Sequence, residues 1–117
     1  DLQPLYLTVA DRVAAWTKRW PATLGLVVGA TYPAELADVR RRCPDTPILL
    51  PGIGTQAGDL EASLHAGLDD RGLGLIVSSS RSVIYAGNDD GADWTAAVRA
   101  AALDLREAIN GVRSAHV

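Results

Sequence analysis

Three short apolar runs, Leu24–Ala30, Pro47–Leu50 and Leu73–Ser78, recur along this chain. Their spacing is about 25 residues, which leaves room for one helix and two turns between successive runs. Each run is apolar at consecutive positions and does not alternate, the pattern of a strand buried on both faces. The stretches between them carry apolar residues at spacings of three and four, the pattern of amphipathic helices. Strands that alternate with helices imply right-handed crossovers and a parallel sheet. Few folds satisfy that order.

Pro4 to Trp20 carries a stripe of Leu5, Val9, Val13, Trp16 and Trp20, with Asp11, Arg12, Lys18 and Arg19 facing water and Pro21 as the stop. The two tryptophans are expected to be packing anchors, because such rings bury large areas. Ala34 to Arg42 forms a short helix with Pro33 in its first turn and Glu35 near its start. Arg40, Arg41 and Arg42 are expected to form its solvated end. A third helix runs from about Gly58 to Asp70 with Leu60, Leu64 and Leu68 inward, and His65 is expected at the surface. The last helix begins after Asp93 as N-cap. It presents Trp94, Val98, Ala101, Leu105 and Ile109, with Gly111 as its C′ residue and Ser114–Val117 frayed.

The predicted order is therefore helix, strand, helix, strand, helix, strand, helix. A three-stranded parallel sheet alone leaves two open edges and poor cover. An open doubly wound sheet calls for about five strands. The simplest account is α/β, the C-terminal portion of a (β/α)8 barrel, with three parallel strands alternating with four helices. A chain with no Met that opens Asp1-Leu2-Gln3-Pro4 is expected to be a piece of a longer protein.

The segment Pro51-Gly52-Ile53-Gly54-Thr55-Gln56-Ala57-Gly58-Asp59 lies in a strand-to-helix turn. Glycine there permits positive φ and close approach of a ligand to the backbone, and a helix start favours an anion. That points to phosphate or a similar oxyanion, with Gln56 as a donor; the alternative is a tight turn in which glycine only solves geometry. The next strand ends in Ser79-Ser80-Arg81 and a short apolar turn. Arg81 carries a fixed fork that matches phosphate oxygens, the alternative being a surface ion pair. Barrels of this kind often bind phosphate in the loops after their last two strands.

Composition narrows the function classes. A net charge of −3 argues against a nucleic-acid surface or a polybasic membrane patch. No run is long and apolar enough to span a bilayer, and no signal-peptide pattern opens the chain, so a cytoplasmic setting is expected. The single Cys43 cannot form an internal disulfide and is expected to be an inert, partly buried thiol.

Three segments together carry a family resemblance. They are Val27-Val28-Gly29-Ala30-Thr31-Tyr32-Pro33-Ala34-Glu35-Leu36, Pro51 to Asp59, and Ser78-Ser79-Ser80-Arg81-Ser82-Val83-Ile84-Tyr85-Ala86. In this order, each at a strand's C-terminal end, they resemble orotidine 5′-phosphate decarboxylase, most closely its longer bacterial branch. The resemblance covers nearly the whole chain. It implies that residues 1–117 are the C-terminal half of the barrel, from its sixth strand to its eighth helix. It also implies conversion of orotidine 5′-phosphate (OMP) to UMP and CO2 in pyrimidine synthesis, no metal or organic cofactor, and a homodimer. Gln56 would close over the 5′-phosphate and Arg81 would pair with it. Pro51, Gly52, Gly54 and Ser80 would line the pocket. Ala30 and Thr31 would meet the pyrimidine, Ala30 through its backbone.

The family's Asp-x-Lys-x-x-Asp motif and its further lysine have no counterpart here, and the only lysine is Lys18. Decarboxylation to a vinyl carbanion needs a cation near the developing charge and a proton donor. No catalytic residue is therefore assigned in this chain. Its expected partners are OMP or UMP and the missing N-terminal half-barrel, with neither nucleic acid nor membrane. Two other readings stay open: another phosphosugar barrel enzyme, and a non-catalytic fragment or scaffold that binds phosphate.

Overall fold

The computed structural model describes residues 2–53, 59–87 and 93–116. Eight elements follow one another: α1 (Leu5–Arg19), β1 (Leu26–Val27), α2 (Pro33–Arg42), β2 (Ile48–Pro51), α3 (Leu60–Gly67), β3 (Leu75–Ser78), α4 (Arg81–Ile84) and α5 (Trp94–His116). The strands form one parallel sheet in the order β1-β2-β3. Leu26 pairs with Ile48, Ile48 with Leu75, and Pro51 with Ser78. The expected α/β order holds, with one addition: the apolar turn after Arg81 closes into the single-turn α4.

The sheet has two unlike faces. On one, Ile48 and Leu50 are fully buried with Ala10 of α1, Leu36 and Val39 of α2, and Cys43. On the other, Val27 is 70% exposed and Ile76 60% exposed. The strands were expected to be covered on both faces, and this chain covers one. The reason is topological: right-handed crossovers put successive helices on the same side, and the opposite side of a barrel sheet is filled by side chains from other strands.

Helix α1 also corrects an expectation. Its buried residues are Leu7, Ala10 and Val13. Trp16 and Trp20 stand about half exposed, and the Arg19 guanidinium lies 5.5 Å from the Trp20 ring centre. They are not packing anchors here. Two apolar stripes run down this helix, and alanine at position 10 allows the closer approach, so the smaller stripe faces α2.

Arg40 departs furthest from its expected place. Its sequence position points to a solvated helix end, yet it is 7% exposed. Its guanidinium donates to five carbonyl oxygens: Gly67 at 2.6 Å, Cys43 at 3.1 Å, Pro44 at 3.0 Å, Thr46 at 2.7 Å and Gly74 at 2.9 Å. These lie at the end of α3 and in the loops that lead into β2 and β3. The Cys43 and Gly74 carbonyls also accept from the Thr46 and Ile48 N–H groups, whereas among the described residues Arg40 is the donor to those of Gly67, Pro44 and Thr46. Arg41 does face water, bound to Asp38, and Arg42 reaches Asp11 of α1 at 2.6 Å.

Cys43 is buried, as expected, and its thiol donates to the Ala10 carbonyl of α1 at 3.3 Å. Burial pushes the thiol's pKa up, which keeps it protonated. Helix α3 is shorter than expected. Asp59 caps it, accepting from the Ala62 N–H at 3.0 Å, and Leu68 turns extended beyond Gly67. A side chain at Gly67 would lie 3.0 Å from Leu36 and Leu75, so glycine here permits tight packing of α3 on α2 and β3. Helix α5 is longer than expected and continues through Gly111 and Ser114 to His116. Gly111 is therefore not a C′ residue, and Ser114–His116 are helical. Asp93 does cap α5, accepting from the Thr95 and Ala96 N–H groups. Val98, Ala101, Leu105 and Ile109 are half buried as a stripe, while Trp94 is exposed.

Candidate functional site

In a parallel sheet all strands end on the same side, so the loops after β1, β2 and β3 meet at one edge. Hydrogen bonds hold those ends in step. The Ala30 N–H donates to the Pro51 carbonyl at 3.0 Å, which extends the ladder past β1. Pro51 pairs with Ser78 across the next gap. Thr31, Pro51, Gly52, Ser80 and Arg81 therefore share this edge. Gly54 and Gln56, the other two candidates, lie outside the described residues.

Local chemistry explains the shape. Gly52 has φ +97°, a conformation that favours glycine, while among the described residues the nearest atom to an added Cβ is the Ala30 nitrogen, 3.9 Å away. The positive φ is reason enough for glycine there. Arg81 opens α4 and is exposed, and among the described residues its side chain has no ion pair or hydrogen bond. The surface-ion-pair alternative therefore has no partner among them. Ser80 is exposed beside it and its carbonyl accepts from the Ile84 N–H at 2.7 Å. Thr31 is exposed at the edge.

Ala30 itself is buried, and its carbonyl accepts from the Ser63 hydroxyl at 3.1 Å. Both its backbone groups are thus engaged, and only the second lone pair of its carbonyl is open to a base. Ser63 was not singled out from the sequence. Its signal was a hydroxyl on the inward side of a leucine-rich helix, where it sits fully buried. Ser79 was missed as well: it donates to the Ile53 carbonyl at 2.9 Å and hydrogen-bonds the Ser82 hydroxyl. Three consecutive serines give no sequence clue as to which one turns inward.

A separate apolar groove of about 660 Å³ runs along the open edge of β1, lined by Leu5, Tyr6, Val9, Leu26, Val28 and Val39 among others. Its lining includes Glu35 and no lysine or arginine, so its chemistry does not suit an anion. Among the described residues no group of three His, Cys, Asp or Glu side chains is arranged to hold a metal ion. No described helix is long and apolar enough to cross a membrane. His65 is exposed, as expected, 3.8 Å from Glu61.

No family model matches the chain. It is 51% identical over 111 residues to the orotidine 5′-phosphate decarboxylase of Thermomicrobium roseum, which covers 95% of this chain and 38% of that protein. The chain is a homologue of part of orotidine 5′-phosphate decarboxylase. The decarboxylase of Bordetella petrii is 52% identical over 114 residues, covering 95% of the chain and 40% of that protein. The chain thus spans about two fifths of the length of these curated relatives. Among solved structures, the OMP decarboxylase of Leishmania donovani superposes with a TM-score of 0.78 at 40% identity, over 95% of this chain and 38% of that one. The UMP synthase of Leishmania donovani superposes with a TM-score of 0.82 at 42% identity, over 97% of this chain and 23% of that one. The three parallel strands and their helices match part of the decarboxylase barrel.

Proposed function

We propose that this chain is the C-terminal part of an orotidine 5′-phosphate decarboxylase, from the sixth strand to the eighth helix of the barrel. In that reading it supplies the loops that grip substrate. The observation that carries the reading is the shared edge: the segments that resemble the family end on adjacent parallel strands, with Pro51 opposite Ser78 and Ala30 bonded to Pro51. The identity of about half over 95% of the chain supports it.

Arg81 and the Gly52 turn would hold the 5′-phosphate of OMP, with Gly54 and Gln56 closing over it and Ser80 lining the pocket. Thr31 would border the pyrimidine. Binding energy released at the phosphate, remote from the reacting carbon, would help close the loops and align the base. The chemical step needs a cation beside the developing carbanion and a proton for the product. The chain's only lysine, Lys18, lies in the last turn of α1. Helix α1 leads into the start of β1, so Lys18 stands at the opposite end of the sheet from Arg81. The reacting cation would therefore come from the N-terminal part of the barrel, which is also the partner that would cover the exposed sheet face. This reading calls for no metal or organic cofactor.

The test is mass and OMP turnover on one purified sample of the chain. The expected result is a mass matching 117 residues, no decarboxylation, and turnover restored by adding the N-terminal part of the Thermomicrobium roseum relative. Turnover by the verified chain alone would overturn the placement of the reacting cation.

A further inference from the structure

We infer that Ser82 and Ser79 form a hydroxyl relay that positions the two phosphate-binding loops against each other; the inference rests on the phosphate reading above. The Ile53 carbonyl can only accept, so the Ser79 proton is committed to it at 2.9 Å. A serine hydroxyl carries one proton. The bond between Ser79 and Ser82 must then be donated by Ser82. The relay runs from Ser82 to Ser79 to the Ile53 carbonyl. Its two ends are the immediate neighbours of the two residues assigned to the phosphate: Ser82 follows Arg81, and Ile53 follows Gly52.

That placement gives the relay a specific task. The Arg81 side chain has no partner among the described residues and its backbone is held only within the single turn of α4, while the Gly52 turn takes a backbone conformation that leaves glycine many alternatives. Ile53 is 5% exposed, so water has little access to replace a lost donor. Two hydroxyls in series polarise one another, which strengthens both bonds. Ser79 and Ser82 are positioning residues: neither needs to touch the phosphate, and each acts through the loop it holds.

The probes are UMP and inorganic phosphate, titrated into the nitrogen-15-labelled 117-residue chain and followed at the Gly52 and Arg81 amides. Ser82→Ala is expected to weaken both probes about three- to tenfold, the worth of one hydrogen bond. Ser79→Ala should do the same, and the double variant should lose no more than Ser79→Ala alone, because the groups act in series. Ser79→Thr should bind like the parent. A purely structural role would lower the melting temperature without this pattern. Ser82 is exposed, so Ser82→Ala decides the matter even if Ser79→Ala does not fold. Parent-like binding by Ser82→Ala, or losses that multiply in the double variant, would overturn the relay alone. A parent chain that binds neither probe would overturn the phosphate reading and the relay with it.

Discussion

Arg40 and Arg81 stand at opposite ends of one small sheet and have opposite surroundings. Arg40, at the N-terminal end, is buried and donates to five carbonyls. Arg81, at the C-terminal end, is exposed and has no side-chain partner among the described residues. One guanidinium has spent its hydrogen-bonding capacity on the fold, and the other keeps it available. The division matches what parallel barrels do generally: side chains at the strands' N-terminal ends hold the structure, and those at the C-terminal ends meet ligands.

The contrast can be broken most forcefully at Arg40. Arg40→Ala removes the donor from five carbonyls, leaves those of Gly67, Pro44 and Thr46 without one among the described residues, and is expected to cost about 3–5 kcal/mol, read from urea unfolding. Arg40→Lys, with three donors on a point charge, should recover only part of that. A loss below about 1 kcal/mol would mean that water satisfies those carbonyls and that the staple is dispensable. Arg81→Ala should show the reverse profile. Its unfolding midpoint should match the parent, while UMP affinity falls by about 2 kcal/mol, or roughly thirtyfold. In the complete barrel, turnover of OMP should suffer and turnover of phosphate-free orotidine should not; equal losses on both would sink the assignment.

Gly67→Ala sharpens the packing side of the comparison. The added methyl meets the ends of Leu36 and Leu75 at 3.0 Å, and overpacking of that kind opposes the gain in helix propensity. A net loss of about 1 kcal/mol is expected by thermal melting, and a gain would show that those leucines yield freely. The smallest effects belong to exposed carboxylates. Arg42, then Gln3, holds the Asp11 carboxyl below its ordinary value, and the Thr95 hydroxyl with the Ala96 N–H does the same for Asp93. Depressed folded-state values stabilise the fold fully above the unfolded value near 3.8, and that contribution disappears as pH falls through the folded values. Melting temperature should therefore be unaffected by these groups from neutral pH to about 5 and drop below about 4. In Arg42→Ala the drop should be shallower, and salt should reduce the difference.

How far the sequence could be read follows from the same physics. The element order was legible because apolar runs and three-four spacing report burial directly, and the site edge followed from strand ends. Arg40 was not legible. Three arginines at a helix end look alike in sequence, and only the return of the two loops that lead into β2 and β3 beneath that end selects the one that turns inward. Trp16 and Trp20 misled because area alone marks a ring as a core residue, whereas α1 packs through Ala10 and leaves its larger stripe outside. Gly111 reads as a helix stop, at a cost of about 1 kcal/mol relative to alanine. The half-buried stripe on either side of it carries the helix onward. The seven site candidates divide differently. Five could be located at the shared edge, while Gly54 and Gln56 fall outside the described residues.

Cys43 carries a practical consequence. It is the only thiol in the chain, it sits beneath α1, and burial keeps it in the unreactive protonated form. Any reagent that consumes it must wait for α1 to lift. The rate of thiol labelling is thus a clock on that opening, read without a probe having to be installed. In fast-closing conditions the clock reports how often α1 is away from α2, and at high reagent concentration it reports how quickly it leaves.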